Sequence, residues 1–143
     1  MTQTRENRSG YSGTPLAKKL GIKPGHRIKP KGAPLDYERL VAPLPADAKV
    51  SARFRDHVDI WHLFTKSGVE LRRELVRAIE EIRPNRAIWV SWPKKASGVA
   101  TDLTEDTIRK AALPLGLVDV KVCAVDGTWS GLKLVIRRRL RSH

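Results

Sequence analysis

The residues of this sequence best suited to chemistry fall in two short stretches, each directly after an apolar run. Thr65 and Lys66 follow VDIWHLF (58–64), and Lys94, Lys95, Ser97 and Gly98 follow AIWVSW (87–92). Two lysines, hydroxyls, a glycine backbone and a capped helix start are what an anion needs in order to be held. If the two runs are neighbouring parallel strands, both stretches lie beyond the strands' carboxyl ends, where loops and helix N-termini gather in such sheets. The predicted occupant of that edge is an anionic ligand or a protein partner. PKKASG also reads as a solvated loop whose Trp92–Pro93 bond sets a turn. Trp129, in DGTWSG, either folds over the core or is presented to a ligand.

A second source of chemistry is charge. The net charge is +13, concentrated at the two ends: residues 1–31 hold eight Lys and Arg against Glu6, and residues 133–143 hold five against no acid. Residues 32–132 are close to neutral. Lys18, Lys19, Arg137, Arg138, Arg139 and Arg141 are therefore the candidate polyanion contacts, with weak, salt-screened nucleic-acid binding through the termini as the expected outcome. His57 and His62 are five apart on a strand and point to opposite faces, so no metal set forms. Cys123, the only cysteine, has no internal disulfide partner and reads as a small packed residue. Asp102, Glu105 and Asp106 open a helix, where capping and dipole compensation explain them better than acid–base work. A nucleotide cofactor would want a glycine-rich turn after the first strand and an acidic residue after the second. The chain offers Gly32-Ala33-Pro34 and RFRD (53–56), so no cofactor is predicted.

These residues need elements to position them. Residues 1–13 are polar and aperiodic, which predicts a disordered basic arm. Thr14, Pro15 and Gly21 have the order of N-cap, first helical position and left-handed terminator around a short helix whose Lys18 and Lys19 project outward. HRIKPKGAP (26–34) reads poorly as a first strand because of Pro30. Leu35–Leu44 predicts a short helix ended by Pro43 and Pro45. KVSARFR (49–55) alternates as an edge strand and VDIWHLF as a central one. Leu71, Leu75, Ile79 and Ile82 mark an amphipathic helix with Arg72, Arg73, Glu74, Arg77, Glu80 and Glu81 towards water. Helix then strand (AIWVSW) implies a parallel crossover. Asp102 or Thr101 caps a helix to about Leu113, Asp102 and Glu105 having capping-box spacing. Val118, Val120 and Val122, then Leu132, Leu134 and Ile136, mark two strands of a closing antiparallel hairpin. Trp61, Trp89 and Trp92 are predicted core.

Three long stretches, GYSGTPLAKKLGIKPG (10–25), WVSWPKKASGVATDLTED (89–106) and ALPLGLVDVKVCAVDGTWSGLKLVIRR (112–138), resemble a bacterial family of unknown function, number 3052. The order of elements is also similar to a reduced class I methyltransferase. That second resemblance implies an enzyme using S-adenosylmethionine, with a glycine-rich first loop and an acidic second strand from which this chain departs. The sequence thus predicts an α/β, three-layer, Rossmann-like fold: a mostly parallel sheet with a C-terminal antiparallel hairpin. It predicts an arm over 1–13, one domain over 14–138 and a basic tail over 139–143. No apolar run is long enough for a membrane span, and cytoplasmic location is the simplest expectation. The functional expectation is a non-catalytic binding or regulatory domain, with the methyltransferase-like enzyme and the nucleic-acid-associated protein as alternatives.

Overall fold

A computed structural model describes residues 13–141. In chain order it contains α1 (Leu16–Leu20), β1 (Arg27–Lys31), α2 (Tyr37–Leu40), β2 (Lys49–Val50), β3 (Val58–Phe64), α3 (Gly68–Glu81), β4 (Ile82–Pro93), α4 (Glu105–Ala112), β5 (Leu117–Ala124) and β6 (Trp129–Ile136). They form one six-stranded sheet in the order β2-β1-β3-β4-β6-β5. The first four strands are parallel, and β6 runs antiparallel to both β4 and β5. The α/β, mostly parallel, hairpin-closed architecture is the one expected.

Helices cover both faces. On one, α3 and α4 pack Leu71, Leu75, Ala78 and Ile108 against Val58, Trp61, Leu63, Ile88 and Leu134. On the other, α1 and α2 pack Leu16, Leu20 and Tyr37 against Ile60, Phe64 and Trp89. Trp61 and Trp89 are fully buried and Trp92 is 8% exposed, so all three are core. The indole N–H of Trp89 donates to the Leu20 carbonyl at 3.1 Å, which ties α1 to the sheet. Burying Leu71 and Leu75 contributes about 1.5–3 kcal/mol each. Beneath α2, His62 meets the Tyr37 hydroxyl through Nδ1 at 2.9 Å and the Ser91 hydroxyl through Nε2 at 2.7 Å. Burial pulls the imidazole down to about 3, so a neutral ring satisfies both partners.

The first strand expected within residues 26–34 is present as β1, Arg27–Lys31, despite Pro30, while several other expectations need correction. Ile28 turns its carbonyl to β2, accepting from Ser51 N at 3.0 Å. Pro30 turns the same way two residues later, beyond the end of the two-residue β2, so its missing N–H costs no ladder bond. The strand expected over 49–55 is only Lys49–Val50, and the helix over 35–44 is a single turn. Pro15, not Thr14, occupies the N-cap of α1. Glu74 and Glu81 are buried and do not face water: Glu81 accepts Lys29 Nζ at 2.6 Å and the Trp61 indole at 2.8 Å. Thr104, not Asp102 or Thr101, caps α4, in a box with Thr107. Lys19 is only half-exposed, its ammonium donating to the Ala124 carbonyl at 3.3 Å, whereas Lys18 is exposed. Of the arm expected over 1–13 all but Gly13 lies outside the described residues, as do residues 142 and 143 of the tail; Arg138–Leu140 form a 3-10 turn.

Candidate functional site

The sheet has two edges at which strands end and loops begin, and they differ in what their polar groups do. At the carboxyl edge the structure gathers the predicted residues: Thr65 follows β3, Lys94–Gly98 follow β4, and the turn before Trp129 closes beside them, with Lys94 N donating to Thr128 O at 2.7 Å. Yet the hydrogen-bonding groups there are engaged within the chain. Thr65 is buried, its hydroxyl donating to the Glu70 carboxylate and accepting from Ser67 N. At the N-terminus of α3, Glu70 N donates to the Ser67 hydroxyl and Gly68 N to Asp102 at 2.9 Å. Asp102 thus occupies, as a carboxylate, the position an incoming anion would take. The Lys66 carbonyl accepts from Thr101 and Asp102 N. Ser97 donates to the Lys94 carbonyl and accepts from Val99 N, and Gly98 supplies the left-handed residue that ends this turn. The Lys66 and Lys95 side chains are exposed. Trp129 is half-buried and stands edge-on to Phe64 at 5.1 Å.

The same edge, further along, holds the cleft in which a nucleotide cofactor would be sought. It measures about 320 Å³ and lies at the ends of β1 and β2. Gly32 holds the loop so close that a Cβ there would stand 2.7 Å from the Phe64 carbonyl oxygen. The end of β2 presents Ser51 and Ala52, and the cleft's one carboxylate, Glu38, comes from α2. A ribose-binding acid at the end of the second strand is therefore lacking, and these residues do not fit S-adenosylmethionine or a dinucleotide.

At the amino edge the balance is reversed. A cleft of about 390 Å³ opens beside the C-terminus of α1 and is lined by Lys23, His26, Arg86 and Lys133, with Asp59 as its one acid. That carboxylate is already occupied: it accepts Arg27 N at 2.8 Å and lies 3.2 Å from Nε of both Arg83 and Arg86. His26 Nδ1 accepts from Lys23 N at 3.1 Å, so its neutral ring carries the proton on Nε2. Burial holds this imidazole below its ordinary value, Arg86, Lys23 and Arg83 reinforcing the effect and Asp59 opposing it. Burial likewise lowers the Lys133 ammonium, with Lys121 and Lys23 adding to it. Lys23, from the N-terminal basic segment, and Lys133, from the C-terminal one, meet here beside Arg86 of β4. Sequence reading missed this cleft. Its one local signal is Lys133 between Leu132 and Leu134, a cation turned to the opposite face of an inner strand.

Other candidates are accounted for by packing. Cys123 is half-buried against the α1 side, and burial pushes its thiol up. Arg109 pairs with Glu105 and Asp119. Arg83, Arg138 and Arg141 line a second amino-edge cleft with Asp56, Glu80 and Glu81, so the charges there are balanced. No described helix is long and apolar enough to cross a membrane.

The family model "Protein of unknown function (DUF3052)" matches residues 46–138. No curated protein matches the sequence. Among solved structures, an S-adenosylmethionine-dependent O-methyltransferase from Thermotoga maritima is similar, with a TM-score of 0.58 and 10% identity; the likeness covers 90% of this chain but only 65% of that one. A protein of the NADB-Rossmann superfamily from Streptococcus agalactiae has a TM-score of 0.52 at 10% identity, covering 91% of this chain and 70% of that one. At such identities these likenesses establish a Rossmann-like fold.

Proposed function

The chain belongs to the DUF3052 family of proteins of unknown function, and from that premise we propose that it is a Rossmann-like binding domain whose ligand is a small anion held in the amino-edge cleft. One observation carries this reading: the cleft lined by Lys23, His26, Arg86 and Lys133 contains a single carboxylate, and that carboxylate already holds two arginines. The cleft therefore carries positive charge that the described residues leave uncompensated, and a bound anion would relieve it. The carboxyl-edge residues Lys66, Lys94, Lys95 and Ser97 remain an alternative location, supported by their convergence and opposed by Asp102 on the α3 donors. The reading as an S-adenosylmethionine-dependent enzyme draws on fold likeness alone.

Thermal unfolding of the full chain with phosphate, sulfate or S-adenosylmethionine tests the proposal. A ligand that binds only the native state stabilises it by about 2.7 kcal/mol at a hundredfold excess over its Kd. Phosphate and sulfate should raise the melting temperature, and Lys23→Ala should reduce the rise. An unchanged transition in millimolar phosphate and sulfate would refute the reading. A rise with S-adenosylmethionine that survives Lys23→Ala would return the site to the carboxyl edge.

A further inference from the structure

Lys121 and Lys133 stand directly opposite each other across β5 and β6. Cross-strand partners share a face, so Lys121 lies on the same side of the sheet as the cleft that Lys133 lines. Two regular strands would not place it there. Leu117, Val118 and Asp119 pair one for one with Ile136, Val135 and Leu134; β5 then advances two residues, to Lys121, while β6 advances one, to Lys133. Without that bulge Val120 would face Lys133, and Lys121 would turn to the α3–α4 side opposite Leu132. The extra residue leaves Val120 unpaired and 53% exposed, and brings a second lysine beside the cleft.

Like charges placed opposite each other are destabilising, and among the described residues no acid offsets these. Asp59 is occupied by Arg83 and Arg86, and Asp119 lies on the other face, paired with Arg109. Among the described residues, Lys23, Lys121 and Lys133 make no salt bridge. Their positive charge thus continues from the cleft across β6 to the outermost strand. Cβ atoms of such cross-strand pairs are about 4.5–5.5 Å apart. Linked anionic groups can bridge that span, whereas two separate anions placed so close would repel each other.

We propose that the ligand is a chain of linked phosphoryl groups, one lying in the cleft at Lys23, Arg86 and Lys133 and the next between Lys133 and Lys121. The proposal rests on the reading of the cleft as an anion site and adds the ligand's class. The lysines act as point charges on the phosphate oxygens, and the bulge at Val120 sets how far the site extends.

Calorimetric titration of the full chain with phosphate, pyrophosphate, tripolyphosphate and ATP tests it. Pyrophosphate should bind about tenfold more tightly than phosphate, and Lys121→Met should remove that gain. ATP and tripolyphosphate should bind alike. Without any ligand, Lys121→Met and Lys133→Met should each raise the melting temperature, because they remove opposed charges; lysines kept for structural support would lower it, and that result would overturn the proposal. Equal affinities for phosphate, pyrophosphate and tripolyphosphate would overturn it while leaving the cleft an anion site. No response to any of the four would remove the anion-site reading as well. ATP binding without tripolyphosphate binding would show that the nucleoside is recognised, and the phosphate-chain proposal would fail. If Lys121→Met perturbs folding, Lys121→Gln serves in its place with the same expectations.

Discussion

At the carboxyl edge of the sheet, Asp102, Ser67 and Thr65 take up the donors at the start of α3, while at the amino edge Lys23, Arg86 and Lys133 converge on a cleft whose one acid is already occupied. Topology alone favours the carboxyl edge, since that is where parallel α/β sheets collect loops and helix N-termini. The contrast teaches that topology supplies donors, whereas binding capacity depends on which polar groups the fold has left unpaired. An edge whose donors already hold a carboxylate has little to offer a second anion.

The largest perturbation concerns the one strongly buried charge pair near the amino edge. Glu81 lies at the end of α3 and balances Lys29, with side-chain exposures of 11% and 8%. Glu81→Ala should cost about 3–5 kcal/mol in urea unfolding, because it strands a buried ammonium, while Lys29→Met with Glu81→Met should restore most of the stability. A loss below about 1 kcal/mol would mean that water reaches Lys29, and the division between paired and unpaired cations at this edge would blur.

Acid should next loosen the core that lies beneath both edges. His62 is fully buried and titrates at about 3, against an ordinary 6.5. Between those values the unfolded chain binds the proton and the folded chain does not. Stability therefore falls as pH drops through this window, by up to about 1.4 kcal/mol per pH unit. His62→Gln should flatten that slope in denaturation curves taken across the window; an unchanged slope would assign it to other groups.

A smaller effect bears on the comparison most directly. Asp102→Ala removes the acceptor of Gly68 N and should cost about 1 kcal/mol, as loss of a helix cap does. It should also create at the carboxyl edge a phosphate response that persists in the Lys23→Ala background. If no new response appears, Asp102 is not what closes that edge to anions.

The smallest effect is pH dependence at the amino edge. Burial holds His26 below its ordinary value, with Arg86, Lys23 and Arg83 lowering it further against Asp59. A bound anion favours the protonated ring, at the expense of the Lys23 N–H donation to Nδ1, so binding takes up a proton, and sulfate affinity should rise as pH falls through the lowered range in which this imidazole titrates. Sulfate does not titrate in this range, and His26→Gln should abolish the trend.

Much of the fold was legible in the residues. The apolar run 58–64 and the 3.6-residue spacing of Leu71 and Leu75 each report a local pattern of burial. Elements that depend on distant partners were harder to read. β1 carries Pro30 and becomes legible only once β2 is known to stop at Val50. Glu81 has the spacing of a solvent-facing residue, yet it is buried because Lys29, 52 residues away, reaches it. The predicted carboxyl-edge residues do converge, but the occupation of α3 by Asp102 involves residues 34 apart, and no spacing rule foretells it.

The sequence by itself therefore determined the α/β class, the parallel crossover, the tryptophan core and the basic character of both ends, because these follow from periodicity and composition along the chain. Tertiary structure alone decided where the charge acts. It brought Lys23 and Lys133 into one cleft from opposite ends of the chain, and a single unpaired residue in β5 turned Lys121 to the same face. The physical reason is that electrostatic interaction depends on distance and on the acids nearby, and both are set by strand order and register.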